Sequence, residues 1–228
     1  MYKNVIAVGD SFLEGAELSE KLPDTQHVAA ALLAAHYGCD FYNLAQSGAG
    51  TLAVVEQLKL AELGGILNKD SLVVYSIPPA GRIDFALSDT DKCFTLDYWF
   101  HKSIYDGKTF EGMPDNEHVR ANQDRFKRLY DSTSDVDWIK FGEQLHYGGI
   151  CAMVNILNKY TSVGFIGHPQ HLLDQYYRRH TLDALSKLDR LLFIDNGFTG
   201  WSKANKYTIM PCGHPGADAH KALVELLL

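Results

Sequence analysis

The sequence has no long hydrophobic run, no basic tract and no closely paired cysteines, and each absence removes a class of function. No apolar stretch reaches the length of roughly 20 residues that a bilayer-crossing helix needs, so no membrane partner is expected. Lys and Arg number 21 against 28 Asp and Glu, for a formal net charge of −7. That balance argues against binding to a phosphate backbone, so no nucleic acid is expected either. The small basic clusters, Arg125 with Lys127 and Arg128, and Arg178 with Arg179, read as solvated helix faces. Cys39, Cys93, Cys151 and Cys212 lie far apart with no Cys-x-x-Cys pair, which disfavours a disulfide framework and a zinc site and points to a reducing compartment. The first four residues run straight into an apolar strand and leave no room for a signal peptide, so a cytoplasmic location is expected. There is no internal repeat, low-complexity tract or linker. A single domain spanning residues 1–228 is the expectation. The composition sets no oligomeric state.

What is present is an alternation of short apolar runs and helical patterns. Hydrophobic residues make up 46% of the chain, enough for a sizeable core. Val5–Val8 is short and β-branched and reads as a buried strand. Further strands are expected at 40–44, 71–77, 162–167 and 191–195, and helices at about 25–37, 51–67, 136–160 and 218–228. Asp24 or Thr25 is placed to cap the first of these helices, and Gly38 to end it. Gly148-Gly149 is a candidate break or kink in the third. Strands separated by helices predict an α/β fold, a three-layer α/β/α sandwich with about five parallel strands. Residues 84–136 show no steady period and read as an irregular insertion of loops and short helices, a lid or rim.

In such a sheet, ligands bind beyond the carboxyl ends of the strands. Gly9-Asp10-Ser11 follows the first strand, and Gly9 lets the backbone turn where a Cβ would resist. Asp10-Ser11 reads either as a helix cap or as the approach to a nucleophile. Asn43, Gly48 and Gly50 follow the second strand, Arg82 the third, and His214 precedes the last helix. A hydroxyl, an imidazole base and glycine N–H donors are the parts that acyl transfer requires. His168 and His171 have no third ligand tied to them by spacing, so no metal is expected, and no cofactor is implied. Cys212 reads as incidental rather than as a thiol nucleophile. His220 reads as structural. Tyr98, Trp99 and Phe100 serve equally as a binding wall or as packing. Phosphate binding by the glycine loop is disfavoured by the absence of Gly-x-x-x-x-Gly-Lys, and no Gly-x-Gly-x-x-Gly follows the first strand.

In this order the motifs resemble the SGNH (GDSL-type) hydrolases over nearly the whole chain. Gly9-Asp10-Ser11 with Gly15 resembles the first motif, Asn43 to Gly48 the second, and His214-Pro215 the last. The resemblance implies a flavodoxin-like sheet, Ser11 as nucleophile and His214 as base. It implies an oxyanion hole from the amides of Ser11 and Gly48, with Asp10 and Asn43 shaping the site. Two features depart from the pattern. The third motif, Gly-x-Asn-Asp, is replaced by Ser76-Ile77-Pro78-Pro79-Ala80-Gly81-Arg82, which leaves Arg82 as a candidate third donor. Pro211 stands where an Asp would orient the histidine, so Asp195 and Asp218 become the candidate acids. The expected activity is hydrolysis of short acyl, notably acetyl, esters of a small molecule or glycan. The alternative is a weak or inactive SGNH-like fold that binds glycans. The compact form is also similar to that of SGNH-like proteins encoded by bacteriophages.

Overall fold

The structure, a computed structural model, describes residues 2–15, 18, 25–86, 93–97, 102, 105–106, 117–133, 135–167, 177–193, 196–211 and 213–228. Five strands form one parallel sheet: β1 (Asn4–Val8), β2 (Asp40–Asn43), β3 (Ser71–Ile77), β6 (Thr161–Ile166) and β7 (Leu191–Leu192), in the order β2-β1-β3-β6-β7. The chain runs outward from β1 in both directions, the doubly wound order in which a crevice opens where the winding reverses. Each of β1 and β3 is buried on both faces. Alternate side chains therefore serve two cores. Ile6, Val8, Val73, Tyr75 and Ile77 pack against α3 (Thr51–Leu63), α5 (Trp138–Leu157) and α6 (Arg178–Leu185). Val5, Ala7, Leu72 and Val74 pack against α2 (Ala29–Tyr37), α7 (Gly197–Ala204) and α8 (Ala217–Leu227). This is the expected three-layer sandwich. Among the described residues, no helix is long and apolar enough to cross a membrane.

Several boundaries differ from expectation for local reasons. Helix α2 begins at Ala29, not near Thr25, and has no side-chain cap on its own N-cap residue Val28. The Ala29 N–H donates instead to Nδ1 of His220, contributed by the last helix. Thr25 lies in a preceding turn, and Asp24 is outside the described residues. Gly38 ends α2 in the left-handed region as expected. Helix α3 stops at Leu63 rather than Leu67, where Gly64 and Gly65 follow. Gly148-Gly149 does not break α5, which runs uninterrupted. A Cβ on Gly149 would stand 2.8 Å from the Thr51 Cγ2 methyl, so this glycine lets two helices approach closely.

The described parts of the segment expected to be irregular include regular elements. An antiparallel hairpin pairs β4 (Arg82–Ala86) with β5 (Cys93–Asp97), apart from the main sheet. Helix α4 (Glu117–Ser132) follows, sixteen residues where loops and short helices were expected. Its apolar residues Phe126, Leu129 and Tyr130 sit at i, i+3 and i+4, but the repeat is too short to stand out among charges. Phe126 is buried with Ile83 of the hairpin and Trp138 of α5 in a small satellite core. The exposed Arg125, Lys127 and Arg128 are indeed a solvated helix face.

Gly164 shows how tightly the central strands are packed. A Cβ there would lie 2.1 Å from the ring of Tyr75, which is completely buried. Gly164→Ala is expected to lower unfolding free energy by about 1–3 kcal/mol. Gly148→Ala, with nothing within 4 Å of its Cβ, should be neutral or stabilising by up to about 1 kcal/mol. Urea titration of the two variants checks the contrast; equal midpoints would contradict the packing described.

Candidate functional site

The site is built at the carboxyl ends of β1, β2 and β3, beginning with the turn after β1. Gly9 has φ +143°, and a Cβ there would stand 2.1 Å from Ser76 Oγ on the neighbouring strand. Glycine is therefore required both by the backbone angle and by the space. The Gly9 amide is clamped by Gln57 of α3: its N–H donates to Oε1 at 2.8 Å, and Nε2 donates to its carbonyl at 3.3 Å. Asp10 is fully buried and is the N-cap of α1 (Ser11–Glu14), accepting from the Phe12 N–H. Ser76 Oγ donates to Asp10 Oδ1 at 2.8 Å and accepts from the Asp10 N–H at 3.1 Å. Arg82 Nη1 donates to Oδ2 at 3.1 Å. Of the two readings of Asp10-Ser11, the structure assigns the cap to Asp10. The Ser11 hydroxyl is left for another partner.

That partner is His214. Ser11 Oγ lies 2.7 Å from His214 Nε2, across 203 residues of sequence. The histidine is carried by a tight loop held at several points. Gly213 adopts φ +90°, and its N–H donates to the Met210 carbonyl at 2.8 Å. The Met210 N–H donates to the His214 carbonyl, and Ile209 bridges Pro215. The Phe12 ring packs on the imidazole at 4.4 Å between centroids. A hydroxyl hydrogen-bonded to a neutral imidazole nitrogen is the geometry in which the ring can take the hydroxyl proton.

Of the two candidate orienting acids, Asp218 makes its described bonds elsewhere. Asp218 Oδ2 accepts from the Thr208 N–H at 2.9 Å and from its hydroxyl at 3.0 Å, while Oδ1 accepts from the Ala219 N–H. Burial opposes ionisation of Asp218, but the bonds from Thr208 outweigh it and hold its carboxyl below the usual range. Asp218 thus anchors the histidine loop to the start of α8. Asp195 lies outside the described residues, as do Cys212, His168, His171 and Tyr98 to Phe100. His220 has the structural role expected of it. Burial, reinforced by the nearby His214, pushes its pKa down to about 3, so the ring is neutral and can accept from α2.

The loop between β2 and α3 supplies backbone donors. Asn43 Nδ2 donates to the Leu13 carbonyl at 3.0 Å and its Oδ1 accepts from the Ala45 N–H, so Asn43 fastens the loop to the end of α1. In the following stretch the Ser47 N–H goes to Glu14 Oε2, the Ala49 N–H to the Gln46 carbonyl, and the Gly50 N–H to Asp84 Oδ1. Gly48, at φ +80°, stands between them, and its N–H has no partner among the described residues. The same is true of the Ser11 N–H. Backbone donors of this kind are suited to a developing oxyanion where they face a hydroxyl–imidazole pair. Arg82 Nη1 donates to Asp10 and, at 3.3 Å, to the Ala49 carbonyl, which places it against the supports of the site rather than on the protein surface. Among the described residues there is no cluster that could hold a metal ion.

Sequence reasoning missed Ser76, Gln57, Glu14 and Asp84, all of which hold the site. Asp84 had a usable signal, since it lies two residues from Arg82 and so shares its strand face. Nothing local marks the other three.

No protein-family model matches the sequence, and no curated protein matches it. Solved structures similar to it include a phospholipase A1 from Streptomyces albidoflavus, 17% identical with a TM-score of 0.49, covering 100% of this chain and 98% of that one. A member of the lipolytic protein G-D-S-L family from Veillonella parvula is 10% identical with a TM-score of 0.48, covering 97% and 94%. A psychrotrophic esterase from Pseudoalteromonas is 12% identical with a TM-score of 0.48, covering 99% and 94%. Each is a likeness of chain path at low identity, and the chemistry of this chain is read from its own side chains.

Two buried neutral histidines set an acid limit. Burial lowers His146 to about 4 and is the main cause that lowers His220 to about 3, both below the usual value of 6.5. The unfolded chain then binds more protons below pH 6.5, so stability is lost as pH falls from there toward the folded values. Between pH 7 and pH 5, each histidine should cost about 2 kcal/mol of stability. Urea midpoints measured across that range should fall, and a flat profile would contradict the neutral burial of these rings.

Proposed function

We propose that this chain is a serine ester hydrolase of the SGNH type, with Ser11 as nucleophile and His214 as base. One observation carries the reading: the 2.7 Å contact that brings Ser11 Oγ to His214 Nε2 from opposite ends of the chain. Nε2 takes the hydroxyl proton as Oγ attacks the acyl carbon. The resulting oxyanion is held by the N–H groups of Ser11 and Gly48, which have no other described partner. His214 then returns the proton to the departing alcohol, leaving an acyl-serine. Water, deprotonated by the same ring, releases the acid and restores the serine. Each step balances with ester and water alone, so no cofactor is required.

The substrate proposed is a short acyl ester, notably an acetyl ester, of a glycan or small molecule. The polar, aromatic composition of residues 84–136 supports that choice. The second reading is a weak or inactive fold of the same type that binds glycans without cleaving them. It is favoured by one observation: no Asn follows β3, where the family resemblance would put a third oxyanion donor. A lost donor of this kind can cost on the order of 10²–10³ in rate.

A fluorophosphonate probe separates the two. The proposed enzyme should be labelled at Ser11 and should hydrolyse short-chain p-nitrophenyl esters and acetylated sugars. Ser11→Ala should lose labelling and lower hydrolysis by on the order of 10³ or more. Hydrolysis unchanged in Ser11→Ala removes Ser11 as nucleophile. Stable glycan binding without labelling supports the second reading instead.

A further inference from the structure

The strand that follows β3 stands where the usual third donor is missing, and its side chains reach the site's two loops. Arg82 Nη1 makes two bonds at once, to Asp10 Oδ2 at 3.1 Å and to the Ala49 carbonyl at 3.3 Å. Asp10 is the residue next to Ser11, and Ala49 is the residue next to Gly48. A single guanidinium nitrogen is therefore one residue in sequence from each of the two amides that have no partner among the described residues. Two positions along the same strand, on the same face, Asp84 spans the start of α3. Its Oδ1 accepts from the Gly50 N–H at 2.9 Å and its Oδ2 from the Ala53 N–H at 2.9 Å. From β5 the hydroxyl of Thr95 donates to Asp84 Oδ1 at 2.6 Å and fixes its rotamer. The approach is close enough that a Cβ on Gly50 would stand 2.6 Å from Asp84 Oδ2 and 2.9 Å from the Arg82 carbonyl. Glycine at 50 is thus needed for the hairpin to dock at all.

We infer that Arg82 and Asp84 are positioning residues that set the distance between the Ser11 and Gly48 amides, so that the hairpin builds a two-donor oxyanion hole in a chain whose β3 is not followed by the usual Asn. The inference rests on the esterase reading for its kinetic consequence, and on geometry alone for its structural one. Neither residue acts on the acyl group itself. The ion pair holds the turn that carries Ser11, the shared bond ties that turn to the glycine loop, and Asp84 keeps the loop from sliding along α3. Preorganised donors lose effect steeply with misplacement, and a shift of 1 Å can cost on the order of 10²-fold.

The test compares Arg82→Met, Arg82→Lys and Asp84→Asn with the wild type by ester kinetics and by amide NMR of the Ser11 and Gly48 resonances. Arg82→Met should lower kcat by about 10–100-fold with little change in KM and the same pH profile, because the His214 contact is untouched. Arg82→Lys, which keeps the charge beside Asp10, should recover part of that loss. Asp84→Asn should shift the Gly48 amide more than the Ser11 amide, and Arg82→Met should shift both, with resonances of α8 unmoved. Should Arg82→Met not fold with a buried Asp10 left unpaired, Asp10→Asn combined with Arg82→Met removes the charge and still severs the two loops. Variants with kcat within twofold of wild type and unmoved Ser11 and Gly48 amides would overturn the inference. A wild type that neither labels nor hydrolyses overturns the esterase reading instead, and the amide shifts then decide the positioning claim independently.

Discussion

A buried carboxylate is costly unless it is paired and hydrogen-bonded, and Asp10 meets that demand with groups from separate elements. Ser76 reaches it from β3, Arg82 from the hairpin, and Phe12 from the first turn of α1. The Ser76 bond requires β1 and β3 to pair in register, and the Arg82 bond requires the hairpin to dock. Asp10 is thus the point where the sheet, the short helix and the insertion become mutually dependent. Ser11 is one residue beyond it and inherits that fixed position. The turn that presents the hydroxyl is held by the bonds of the residue before it.

The sheet was largely legible because burial on both faces writes itself into composition. Val5–Val8 and Ser71–Ile77 are almost unbroken apolar runs, and only central parallel strands need that. Gly9, Gly38 and Gly48 were legible as well, since each occupies a backbone region that other residues avoid. The meeting of Ser11 and His214 followed from order: a serine after the first strand and a histidine before the last helix can converge beyond the carboxyl ends of the strands.

What was not legible depends on distances that local sequence does not encode. The start of α2 is capped by His220 from the far end of the chain, so no residue near Thr25 could reveal it. Gly148-Gly149 has the composition of a break, yet Gly149 serves the contact with Thr51 of another helix. Helix α4 is mostly polar, and its single buried residue among those described, Phe126, is hidden by a satellite core rather than the main one. Asp84 looks like any surface carboxylate until the glycine loop is seen lying against it.

The separation of 203 residues between Ser11 and His214 has a consequence for the order in which the molecule comes together. Closing so long a loop is entropically unfavourable until the intervening strands have paired, and contacts of such range are made late. During synthesis the serine is made 203 residues before the histidine. The hydroxyl therefore waits for its imidazole partner until that stretch has been made. A product truncated before His214 would lack the assembled pair.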